Sequence, residues 1–206
     1  MGTKLTKVVA GIVGAVLVVV LAVVAGRHSV GSPKKRTATE SSVPTNSTVS
    51  AGLVGFRDAK AGWAVSYPNA WNRLQSNDAD VVLVLSEKAP ELNTGGSILA
   101  RDITLAAPVT DANVNAAKEI TDKVVNGEGI QLLAQPAVVH EGGLPGWFYF
   151  YSFKDPKTGQ EGVHSHYFLF KGSTMVSFVF QALPKESFQG LATLYDDVIA
   201  SFKGSA

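Results

Sequence analysis

Not one cysteine occurs among the 206 residues, so the chain has no disulfide framework, no thiolate nucleophile and no cysteine-ligated zinc or iron-sulfur site. The same absence rules out a bacterial lipoprotein, in which the residue directly after the signal segment is a lipidated cysteine. Catalytic signatures are missing too: there is no Gly-x-Ser-x-Gly elbow, no P-loop and no Gly-x-Gly-x-x-Gly fingerprint, and Gly127-Glu128-Gly129 reads as a helix-to-strand turn. The chain is therefore expected to be no enzyme and to need no cofactor. Charge is sparse and nearly balanced, at +1 overall. Lys4, Lys7, Arg27, Lys34, Lys35 and Arg36 stand near the N-terminus and leave the remainder mildly acidic, which argues against nucleic acid as a partner. No internal repeat suggests a solenoid or propeller.

What is present first is one uncharged apolar run, residues 8–26 (VVAGIVGAVLVVVLAVVAG), behind a short basic segment at 1–7. At about 1.5 Å per residue, a helix of this length just crosses a hydrocarbon core about 30 Å thick. We read it as a single-pass plasma-membrane anchor, with the basic flanks at the headgroups. A cleaved signal peptide is the rival reading, since Val23-Val24-Ala25 resembles a cleavage site, but the run exceeds the usual h-region. Met1-Gly2 with Thr6 fits the myristoylation pattern, which a spanning helix would make redundant. Basic residues on both flanks leave the positive-inside rule undecided. The export-type N-terminus, the absence of cysteine and the following segment favour the outer side. That segment, 27–52, is rich in Ser, Thr and Pro without apolar periodicity and reads as a flexible stalk; it carries the sequon Asn46-Ser47-Thr48.

Residues 53–206 have the size and patterning of one globular domain. Alternation predicts strands over 62–67, 80–86 and 97–106. A helix follows, capped at Thr110 or Asp111, with Val114, Ala117, Ile120, Thr121 and Val124 as its apolar stripe and Asn126-Gly127 as its stop. Next comes an antiparallel meander. Residues 130–141 turn into 144–153 across Gly142-Gly143, and 163–170 into 174–182 across Gly172-Ser173, a two-residue type II′ turn. Pro184 opens a last helix, on which Phe188, Leu191, Tyr195, Val198 and Phe202 recur at spacings of three and four. Both faces of 146–153 (GWFYFYSF) are aromatic, so this strand is expected to be central and covered twice. The expected fold is α+β, an α/β/α sandwich with a largely antiparallel central sheet, preceded by one N-terminal transmembrane helix.

Tyr67-Pro68-Asn69-Ala70-Trp71 after a first strand, the meander, and a last helix ending Asp197-Val198-Ile199-Ala200-Ser201-Phe202 together resemble the Mog1/PsbP-like family over residues 56–203. The resemblance implies an α/β/α sandwich and a binding module rather than an enzyme. Family members include extrinsic photosystem II subunits, a Ran GTPase-binding protein and mycobacterial envelope proteins associated with lipid export. In character the chain is similar to the actinobacterial envelope branch, but it has no lipobox cysteine, and it has no chloroplast transit peptide of the kind that precedes PsbP domains. The shared residues read as fold determinants, with Pro68 fixing a turn and Trp71 and Phe202 filling the core.

Among chemistry-bearing residues, His164 and His166 share one face of a strand and His140 lies on another. Without a convergent acidic residue these fall short of a metal site, and no metal is expected. An aromatic and histidine set, Trp147, Tyr149, Tyr151, His164 and His166, is the candidate interaction or ligand face. The expected function is a membrane-anchored, non-enzymatic interaction module, held at the membrane by its N-terminal helix and accessory to a protein complex there. The alternative is a carrier of lipid or another small ligand, with an apolar pocket between sheet and helix.

Overall fold

The computed structural model describes residues 52–205, other than 90, 91, 93 and 128. The anchor expected at 8–26 and the stalk up to residue 51 lie outside the described residues. Among the described residues no helix is long and apolar enough to cross a membrane.

The chain runs β1 (Leu53–Asp58), β2 (Trp63–Pro68), β3 (Asn72–Arg73), β4 (Val81–Ser86), β5 (Gly95–Val109), α1 (Lys118–Val125), β6 (Gln131–Leu132), β7 (Ala137–Glu141), β8 (Leu144–Lys154), β9 (Glu161–Leu183) and α2 (Phe188–Ala200), an α+β fold. β1 and β2 form a hairpin of their own. The main sheet is antiparallel in the order β3-β4-β5-β9-β8, and β8 pairs on its other side with β6 and β7. β9 doubles back on itself. His166 lies 2.7 Å from Ser177 and His164 2.9 Å from Gln181, separations an unfolded 23-residue strand could not bridge at about 3.3 Å per residue. Gly172, with φ of 58°, makes the expected reversal, so the first arm pairs with β8 and the second with β5.

Each face of the sheet carries its own core. On one side α2 and the β1–β2 hairpin bring Trp63, Val65, Tyr195, Val198 and Phe202 onto Phe178 and Phe180. On the other, Val114, Ala117 and Val125, from α1 and the turns before it, cover Trp147, Tyr149, Phe168, Phe170 and Met175. β8 serves both cores. Trp147, Tyr149 and Tyr151 face α1, while Phe150 meets Phe188 of α2 with ring centroids 4.9 Å apart. The expectation for Trp71 and Phe202 holds, since both rings are buried.

Two local expectations need correction. The first helix starts not at Thr110 or Asp111 but at Lys118, and 111–117 are turns. Asn113 takes the Thr110 amide at 2.7 Å and donates to the Pro108 carbonyl at 3.1 Å, and short polar side chains that bond the backbone in this way compete with the helix. The buried stripe accordingly runs Val114, Ala117, Thr121, Val125, leaving Ile120 exposed. The strand expected over 130–141 is broken into β6 and β7, because Leu133 and Ala134 both aim their amides at the Phe150 carbonyl, a bulge that uses up the register before Pro136.

Gly142 and Gly143 carry φ of 56° and 82°, the pair of positive angles that a two-residue hairpin demands. Gly142 is further constrained because a Cβ there would stand 2.6 Å from the Phe202 ring and from its carbonyl oxygen. Gly142→Ala should therefore cost about 2–4 kcal/mol, strain and overpacking together, whereas Gly143→Ala, with open space around it, carries only the strain. Urea unfolding of the two variants checks the difference.

Candidate functional site: a buried tyrosine–histidine chain

The period of two along β8 and β9 puts Trp147, Tyr149, Tyr151, His164 and His166 on the α1 side of the sheet. Four of the five are buried and His164 is nearly so. They are an interior network and not a displayed face. Two groups result. Nearer α1, the Trp147 indole donates to the Val114 carbonyl at 2.8 Å, the Tyr149 hydroxyl donates to Asp122 at 2.6 Å, and the Lys118 ammonium stands 5.5 Å from the Trp147 ring while paired with Asp122. This group fastens α1 to the sheet. Burial, then the Asp122 carboxylate, pushes the Tyr149 hydroxyl well above the usual phenol range.

The second group is a chain of five side chains. His166 Nε2 is 2.7 Å from Ser177 Oγ; the Tyr151 hydroxyl is 3.1 Å from Nδ1 of His166 and 3.1 Å from Nδ1 of His164; His164 Nε2 is 2.9 Å from Gln181 Oε1; and Gln181 Nε2 donates to the Leu92 carbonyl at 2.6 Å. The last bond orients the rest, because a carbonyl can only accept and the Gln181 amide nitrogen must face it. His164 then donates from Nε2 to Gln181 Oε1, accepts the Tyr151 proton at Nδ1, and leaves the Tyr151 oxygen to accept from Nδ1–H of His166. The His166 Nε2 lone pair takes the Ser177 hydroxyl. Every member is satisfied with both imidazoles neutral and in opposite tautomers. Burial holds His164 neutral down to about 4, against a weaker opposing pull from the Gln181 bond. It holds His166 well below the usual histidine range, and the neighbouring His164 and then Arg101 disfavour a proton there further.

Chemically this arrangement orients and rigidifies. Ser177 and His166 are at the spacing of a nucleophile and base, but both are buried, and the far nitrogen of His166 meets a phenol where a triad has a carboxylate. His140 is elsewhere, exposed on β7 with its ring 2.6 Å from Asp111. Among the described residues no three His, Asp or Glu side chains converge. Sequence reasoning missed Ser177 and Gln181, although a two-residue turn at 172–173 puts 171 opposite 174 and therefore 164 opposite 181. It also missed Asp58 and Asp102, a carboxyl pair beneath the β1–β2 turn.

No family model matches the chain, and no curated protein matches it. Solved structures do. A Bacteroides thetaiotaomicron protein is 15% identical with a TM-score of 0.51; the match covers 72% of this chain but only 47% of that one, so the chain spans about half its length. LpqN of Mycobacterium tuberculosis, involved in cell envelope biogenesis, is 14% identical with a TM-score of 0.53 over 73% of this chain and 89% of its own. The cyanobacterial PsbP (CyanoP) of Synechocystis sp. PCC 6803 is 16% identical with a TM-score of 0.49, covering 78% and 96%. At such identities the likeness is one of fold. The domain has a Mog1/PsbP-like fold.

Proposed function

We propose that this chain is a membrane-anchored, non-enzymatic interaction module, with residues 8–26 as anchor, 27–52 as stalk and 53–206 as a binding domain that serves a membrane or cell-envelope complex from the outer side. One observation carries the reading. The large apolar side chains exposed among the described residues, Ile120, Leu132, Leu133 and Val138, all lie on α1 and at the β6–β7 end of the sheet. An open strand edge bordered by apolar side chains suits a protein partner. The tyrosine–histidine chain, in contrast, is interior. The involvement of LpqN in cell envelope biogenesis is an analogy in the same direction. A carrier with a pocket between sheet and α2 is less well supported, since Tyr195, Val198, Ile199 and Phe202 fill that space. A tether also lets a weak face work, because linked sites behave as if at up to about millimolar concentration.

A topology reporter fused after Ala206, read together with the intact length on a blot, tests the placement. The expected result is full-length protein in the membrane fraction with the reporter active outside. A cleaved soluble product or a cytoplasmic reporter rejects it. In a deletion strain, the triple variant Leu132→Ser, Leu133→Ser, Val138→Ser should melt like the parent and fail to complement. Full complementation would remove the edge as the binding surface.

A further inference from the structure

Asp58 closes β1 and Asp102 lies in the middle of β5, on the side where the hairpin packs. Trp63 brings them together, because it stands opposite Asp58 in the hairpin and its indole bonds Asp102. One oxygen of each is well served: Asp58 Oδ1 accepts the Lys60 and Ala61 amides at 2.7 and 3.2 Å, and Asp102 Oδ1 accepts the Trp63 indole at 2.9 Å. The remaining oxygen of each, Oδ2, is buried and has no hydrogen-bond partner. Two carboxylates cannot bond each other, whereas an acid and a carboxylate can, by placing one proton between the two orphaned oxygens. We infer that Asp58 and Asp102 share a single proton, and that this proton is a pH-sensitive clasp between the β1–β2 hairpin and the main sheet.

The surroundings say which residue carries it. Asp58, served by two backbone amides and close to Lys60, is held below the usual carboxylate range despite its burial. Asp102 is pushed up to about 7, first by burial and then by Asp58. Asp102 is therefore the acid and Asp58 the acceptor. Lys60 is the cation acting on both groups. Lys171, reaching the same turn from β9, is bonded to the Ala61 and Gly62 carbonyls at 2.8 and 2.6 Å. Across the sheet the partner of Asp102 is the apolar Val176, and on the C-terminal side Lys203 pairs through its backbone with Ala64. When the proton leaves to solvent, two like charges face each other beneath the β1–β2 turn.

The inference goes beyond the interaction reading and does not depend on it. Its test is amide hydrogen exchange on the full-length chain in detergent at pH 6 and pH 8, with the β8–β9 amides as internal reference for base catalysis. With the attached acid titrating at about 7 and the released one at the ordinary 3.8, linkage makes opening of the hairpin about tenfold more frequent at pH 8 than at pH 6. Asp102→Asn, which keeps the shape and donates an amide to Asp58, should abolish that difference. An equal pH response of hairpin and reference amides in the parent chain overturns the clasp. So does protection at pH 8 that appears only with added calcium and vanishes with chelator, since a cation would then be what joins the carboxylates. Should the variant not fold, carbon-13 titration of the Asp102 carboxyl in the parent decides: a midpoint near neutrality supports the shared proton, and one below 5 overturns it.

Discussion

Trp63→Ala is expected to remove about 3–5 kcal/mol, the usual cost of truncating a buried tryptophan, from a domain whose whole stability is on the order of 5–15 kcal/mol. The ring is fully buried, with centroids 5.4 Å from Phe56, 5.2 Å from Phe178 and 5.9 Å from Phe202. It thus touches the hairpin, the main sheet and the segment after α2 at once. A cavity there has three walls from three elements, which cannot all close on it. Trp63→Phe separates packing from polarity: it restores most of the ring but deprives Asp102 Oδ1 of its donor, and an orphaned buried acceptor costs about 1–3 kcal/mol. Urea unfolding of both variants is the measurement. A loss below 1 kcal/mol for the alanine variant would show that the hairpin is not keyed to the sheet through this ring.

The second large effect is acid lability. His164 stays neutral in the folded domain down to about 4, against an ordinary 6.5 in the unfolded chain; His166 is displaced in the same direction. Below 6.5 the unfolded state binds protons that the folded state refuses, so stability is complete above 6.5 and falls as pH drops toward 4. For His164 alone the interval corresponds to about 3 kcal/mol. Asp102 works against this, because its carboxyl, pushed up to about 7, holds a proton in the folded state over the same range while the unfolded one does not. Two histidines against one acid leave a net uptake of about one proton on unfolding between pH 6 and 5. Unfolding free energies across pH 4.5–7.5 should slope accordingly in the parent chain. In the double variant His164→Gln, His166→Gln the slope should reverse sign, whatever the variant loses at neutral pH by disturbing Tyr151 and Ser177. Parallel slopes for the two proteins would refute the neutral chain.

The strand-rich half of the domain was readable because its signals are local. Gly142-Gly143 and Gly172-Ser173 demand positive φ where hairpins turn, and alternation between aromatic and small residues fixes which side of each strand is buried. The Phe188 to Phe202 stripe was readable for the same reason, since a helix face repeats within a few residues. Local signals misled where two of them competed. Asn113 satisfied the backbone before a helix could start, and the amides of Leu133 and Ala134 shared one carbonyl where a continuous strand had been expected.

The membrane-length apolar run, the absence of cysteine chemistry, the α+β class and the order of the meander follow from the order of residues along the chain, because each depends on composition or on neighbours within one turn or one hairpin. Whether a tyrosine or histidine is displayed or enclosed does not. Trp147, Tyr149, Tyr151, His164 and His166 looked like a surface to be used, and became an interior chain once β9 folded back and laid Ser177 and Gln181 against the histidines. The meeting of Asp58 with Asp102 is of the same kind. It joins a hairpin to a strand of another sheet, a juxtaposition that no periodicity encodes and that exists only when the two layers pack.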